Sequence, residues 1–141
     1  MSTERGRHRP LSSFVLRGLA LGAGVAAVAF ARRWLDTVEV KGGSMAPTLL
    51  PGEWLVVERR TYMRRPPRVG EIVLAADPRE PSRELIKRIS AVDPRSKLVE
   101  LTGDSPDAST DSRTFGELPT HTIRWRVVAR YYPLGRIGRL S

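Results

Sequence analysis

One apolar run constrains this chain more than any other feature. From Phe14 to Ala31 every residue is apolar or glycine except Arg17, and no comparable run recurs in the 141 residues. A helix drawn from Leu11 to Leu35 extends ~37 Å at ~1.5 Å per residue, enough to cross a bilayer. Arg17 is close enough to its start for the guanidinium to reach lipid headgroups. That leaves about 100 residues, enough for one small folded domain. The expected organisation is a basic tail over 1–11, a transmembrane helix over 12–35, a β-rich domain over 38–132 and a basic tail over 133–141.

Ala29-Phe30-Ala31 has the form of a secretory cleavage site, so a removable signal is the alternative to an anchor. Arg32-Arg33 follow at once, and positive charge there suits a membrane flank and hinders export. The cations Arg5, Arg7, Arg9 and Arg17 outweigh Arg32 and Arg33, which Asp36 and Glu39 offset. This bias puts the N-terminus in the cytoplasm and the body outside, as a single-pass protein of the plasma membrane.

There is no cysteine, so disulfides, thiolate-bound zinc and a thiol nucleophile are excluded. The two histidines, His8 and His121, have no partner at metal-ligand spacing, and no metal or other cofactor is expected. The net charge of +9 divides into a surplus of four over residues 1–37 and five over 38–141. In the second part acids are interspersed with the eighteen Lys and Arg, so no phosphate-binding stripe forms and nucleic acid is not an expected partner. Anionic lipid headgroups account for the charge as well.

Beyond the apolar run the pattern becomes that of strands. Val38 to Lys41 alternates apolar and charged residues, and Pro51-Gly52 marks a turn. Glu53–Glu58, Ile72–Ala75, Glu84–Ile89, Lys97–Thr102 and Ile123–Tyr131 are further short strands between turn signals. Arg59–Arg68 and Gly103–Gly116 read as loops. The expected fold is all-β, a small barrel or coiled sheet.

Two places can carry chemistry. In Lys41-Gly42-Gly43-Ser44-Met45-Ala46-Pro47-Thr48-Leu49, two glycines permit a tight turn and leave the Ser44 hydroxyl approachable, and Pro47 fixes the exit. Taken alone, this is also what an ordinary loop between strands looks like. Lys87 lies in Leu85-Ile86-Lys87-Arg88-Ile89 and shares a strand face with Leu85 and Ile89. An amine among apolar side chains loses hydration, which favours the neutral form that a general base needs. The same pattern also suits a packed lysine whose head reaches water.

These stretches resemble the boxes of the type I signal peptidases (peptidase family S26), membrane-bound serine proteases with a lysine base. Gly42-Gly43-Ser44-Met45-Ala46-Pro47-Thr48-Leu49 is similar to the nucleophile box, and Glu84–Ile89 to the box of the catalytic lysine. Pro67-Arg68-Val69-Gly70-Glu71-Ile72-Val73 resembles the segment between them, with Glu71 for the usual Asp. Thr102–Gly116 resembles the last box, with Ser105 for the usual Asn. The resemblance implies a signal-peptidase-like fold over about 38–132, Ser44 as nucleophile and Lys87 as general base. It implies that Ser109 orients the lysine and that Asp104 pairs with Arg88 and Asp111 with Arg113. Gly42, Gly43, Met45 and Pro47 would shape the oxyanion hole and substrate pocket. Gly42 stands where some relatives carry a Ser that donates to that hole, so the Ser44 N–H and a second donor must do more.

Only fifteen residues separate Lys87 from Thr102, leaving no room for the second β-domain of larger members. The chain is similar to the minimal Gram-positive, mitochondrial inner-membrane and nickel superoxide dismutase maturation peptidases. The implied activity is removal of signal peptides or propeptides from exported preproteins, with membrane lipids as further partners. A dedicated maturation protease and an inactive β-domain that binds peptides or lipids are the alternatives. A self-cleaving repressor needs a DNA-binding domain that residues 1–37 cannot form.

Overall fold

The computed structural model describes residues 12–107 and 112–140, the side chains of 12–19, 31, 112 and 113 excepted. The expected tail over 1–11 and the side chains of Ser109, Asp111 and Arg113 thus lie outside what is described. The chain divides into two compact units at Arg33/Trp34.

The first unit contains α1, Ser12–Arg32. It stops three residues before the expected Leu35, because Leu35 already opens a strand. Its described side chains from Ala20 to Phe30 are exposed, Leu21 and Val25 by 72% and 71%. Among the described residues no helix is long and apolar enough to cross a membrane. The transmembrane expectation therefore is not met on them; Phe14, Val15, Leu16 and Arg17 lie in the turns whose side chains are not described.

The second unit is all-β. Its strands are β1 (Leu35–Glu39), β2 (Trp54–Glu58), β3 (Ile72–Ala76), β4 (Glu84–Asp93), β5 (Leu98–Thr102), β6 (Leu118–Pro119), β7 (Ile123–Tyr132) and β8 (Gly138–Arg139). Two single-turn helices, α2 (Thr61–Arg64) and α3 (Ser112–Phe115), interrupt stretches expected to be plain loop. The strands form one antiparallel sheet in the order β1-β2-β7-β3-β4-β5-β6, with β8 also on β7. Among the described residues β1 and β6 do not pair, so the path is an open sheet and not a closed barrel.

β3 occupies the middle because its sequence suits no other place. Ile72, Val73, Leu74 and Ala75 are all at most 2% exposed, an apolar run fit for burial on both faces. β4 instead alternates: Leu85, Lys87 and Ile89 are buried while Ile86 and Arg88 are partly covered. β4 runs on to Asp93, beyond the expected end at Ile89, since Ala91–Asp93 pair with β5 after a register shift.

β7 joins two halves. It pairs with β3 through Ile123–Arg126 and with β2 through Arg126–Tyr132. Two apolar clusters follow this division. One gathers Val40, Met45, Leu49, Leu55, Val57, Ile72 and Val127. The other gathers Val73, Ala75, Ile89, Val99, Leu101, Leu118 and Ile123. Where a basic C-terminal tail is expected, Leu134–Arg136 turns and Gly138–Arg139 pairs with Ala129 and Arg130.

Candidate active site

The Ser44 loop links β1 to β2, and its neighbours hold it in place by burial. Met45 and Leu49 are 1% and 0% exposed, and the Leu49 N–H donates to the Met45 carbonyl at 2.8 Å. Both side chains enter the first cluster while Ser44 is left partly exposed. The Ala46 N–H bonds the Gly43 carbonyl at 3.0 Å, and Val40 closes the base of the loop with Gly52 and Glu53. Neither Gly42 nor Gly43 has a positive φ, and a Cβ at either would meet nothing within 4 Å. The turn therefore does not need glycine; its absent side chains leave the approach to Ser44 open.

Lys87 pairs with Val73 of β3 and is 2% exposed. Its amine is thus largely withdrawn from bulk water. Ser44 and Lys87 line one cleft of about 500 Å³, together with Val38, Val40, Gly42, Met45, Leu74 and Leu85. Gly43 and Pro47, also expected there, do not line it: Gly43 is tied into the turn, and Pro47 is exposed.

The loop after β5 connects both sides. Arg88 Nε and Nη2 donate to the two Asp104 carboxylate oxygens at 2.9 and 2.8 Å, and Nη1 donates to the Gly70 carbonyl at 2.9 Å. The Arg88 hydrogen bond holds the Asp104 carboxyl below its ordinary value, against burial, with help from the Thr48 hydroxyl. The Ser105 N–H donates to the Ser44 carbonyl at 3.0 Å. That contact uses backbone alone, so Ser in place of Asn leaves it unaffected. Gly70, at φ +92, adopts a conformation that favours glycine, and its N–H donates to the Ile89 carbonyl at 2.8 Å.

Glu71 is 8% exposed and takes hydrogen bonds from the Arg68 N–H, the Tyr62 hydroxyl and Arg65. Arg126 adds an ion pair at 3.2 Å. Burial pushes the Glu71 carboxyl up, but these donors outweigh it and bring it below its ordinary value. The same burial and the neighbouring carboxylate push the Tyr62 hydroxyl up.

Three further residues bear on the Ser44 loop without any sequence signal: Glu53, Arg130 and Arg136. Glu53, at the start of an expected strand, is 3% exposed and pairs with both arginines. His121 lines a separate depression with Tyr62, Pro66 and Lys97 that shares no residue with the cleft.

The family model described as "Signal peptidase, peptidase S26" matches residues 13–97. The chain belongs to the S26 signal peptidase family. An Arabidopsis thaliana mitochondrial ATP-independent inner membrane protease subunit 1a is 33% identical over 127 residues, covering 75% of this chain and 76% of the relative. A Xenopus tropicalis mitochondrial inner membrane protease subunit 1 is 30% identical over 124 residues, with 75% and 74% covered. A probable signal peptidase I-1 of Synechocystis sp. is 27% identical over 144 residues, with 72% and 74% covered. The S26 match includes both Ser44 and Lys87; the loop from Thr102 lies beyond it.

Proposed function

We propose that this S26 peptidase is a membrane-anchored serine endopeptidase that removes signal peptides or propeptides from exported preproteins, using Ser44 as nucleophile and Lys87 as general base. The observation that carries the reading is one cleft lined by a loop serine and a buried lysine. In acylation the Ser44 oxygen bonds to the scissile carbonyl carbon while its proton passes to the neutral Lys87 amine. The ammonium then protonates the departing amine, and the peptide C–N bond breaks. Water attacks the resulting ester and gives a proton to Lys87; the ester C–O bond breaks, the Lys87 ammonium returns that proton to the Ser44 oxygen, and the acid product leaves. In this reading the Ser44 N–H stabilises the oxyanion, and Ser109 takes the lysine-orienting role that the family resemblance implies. The apolar run over 14–31 and the exposed Leu21, Val25, Val28 and Phe30 support a membrane anchor, and the excess of arginines before it supports a catalytic unit outside the plasma membrane.

The test is cleavage of a signal-peptide substrate. Ser44→Ala removes one hydroxyl from a loop, costs under ~1 kcal/mol of stability, and is expected to reduce cleavage to background. Lys87→Arg keeps the charge but cannot accept a proton at any usable pH, so it is expected to be inactive throughout. Wild-type activity should rise with pH along the limb where Lys87 becomes neutral. Substantial cleavage by either variant overturns the dyad.

A further inference from the structure

The C-terminal segment grips the rear of the Ser44 loop. Arg130, on β7, donates Nη1 to the Thr48 carbonyl at 2.9 Å and to Glu53 Oε2 at 3.1 Å, and its Nε bonds the Arg136 carbonyl. Arg136 donates Nη2 to the Pro47 carbonyl at 3.1 Å and the Thr48 carbonyl at 3.3 Å. Its Nη1 stands 3.0 Å from Glu53 Oε1, and Glu53 Oε2 also accepts the Leu50 N–H at 3.1 Å. The Pro47 and Thr48 carbonyls lie within the Met45–Leu49 turn and at its end, where carbonyls have no partner within the turn itself. Neither arginine lines the cleft.

We propose that Arg136 is a positioning residue for the Ser44 nucleophile. This rests on the function proposed above. The loop is fixed at its front by the Ser105 N–H on the Ser44 carbonyl and at its rear by Arg136 on the Pro47 and Thr48 carbonyls. An arginine suits the task because its planar fork reaches two carbonyls and a carboxylate together; a lysine offers one compact cation. Loosening the rear lets Ser44 drift from the attack position while the cleft still binds substrate. The turnover step is then what suffers.

The experiment uses the full chain in detergent micelles with an internally quenched peptide carrying an Ala-x-Ala cleavage site. Wild type, Arg136→Ala, Arg136→Lys and Arg139→Ala are compared for kcat, KM, thermal unfolding and hydrogen exchange at residues 45–49. Arg136→Ala is expected to lower kcat on the order of ten- to a hundred-fold with KM within about two-fold. Added guanidinium should restore part of the rate, Arg136→Lys should fall between, and the exposed Arg139→Ala should match wild type. An unchanged kcat, or a loss carried wholly by KM, overturns the proposal. So does a loss that tracks a lowered unfolding temperature and resists guanidinium. If Arg136→Ala does not fold, Arg136→Lys decides alone: wild-type kcat there refutes the role. Should the wild type cleave nothing, the proposed function fails separately. The clamp is then read from exchange at Leu49, which must quicken in Arg136→Ala or the clamp is refuted too.

Discussion

At Gly42 an added Cβ meets open space and the backbone φ is ordinary, so nothing in the protein demands glycine there. A Ser at that position is expected to fold unchanged and to place a hydroxyl in the cleft that Gly42 lines. If it reaches the developing oxyanion it adds a preorganised donor, and loss of one such donor elsewhere costs about 10²-fold or more. Gly42→Ser is therefore expected to raise kcat several-fold with no fall in unfolding temperature, read by steady-state kinetics beside thermal melts. A variant slower than wild type would place the oxyanion elsewhere. Legibility at this scale was uneven. Lys87 could be read as facing inward with Leu85 and Ile89, because a period of two is local. Glu53 could not, because its burial depends on arginines 77 and 83 residues further along the chain.

Among the elements, the turn before β3 and the loop after β5 are tied to their neighbours by carboxylates. Both Glu71 and Asp104 lie below their ordinary values of 4.5 and 3.8. A depressed carboxyl adds stability that is complete above its unfolded-state value and is lost as pH falls through the folded value. The unfolding temperature is thus expected to be flat near neutrality and to drop as pH falls below about 4.5. Asp104→Asn should shallow that drop and cost about 1–3 kcal/mol at pH 7, since Arg88 loses its charged partner. A pH slope identical to wild type would show that Asp104 contributes nothing. The strands with clear apolar patterning were legible, but β6 and β8 were not. Two residues carry no periodicity, and Leu118–Pro119 and Gly138–Arg139 are strands only because β5 and β7 offer free edges. Arg59–Arg68 read as a loop for its prolines and charges, yet it makes one helical turn, and Tyr62 in it and Arg65 just after it both bond Glu71.

For the whole molecule, an uncleaved anchor over 14–31 predicts a mature protein that begins near Met1, with residues 38–141 open to added protease only from outside the cell. N-terminal sequencing and protease protection check both. An N-terminus at Arg32 would instead support a removed signal, and a catalytic unit protected inside would contradict exported substrates. The strand order has a consequence of a different kind, one of timing. The half carrying Ser44 pairs β1 with β2, and the half carrying Lys87 pairs β4 with β3 on one side and β5 on the other. The strand that stands between β2 and β3 is β7, which the ribosome makes after both. Until residues 123–132 have emerged, no ladder joins the half that holds Ser44 to the half that holds Lys87. A nascent chain therefore holds its two halves apart as separate ladders until β7 arrives to join them.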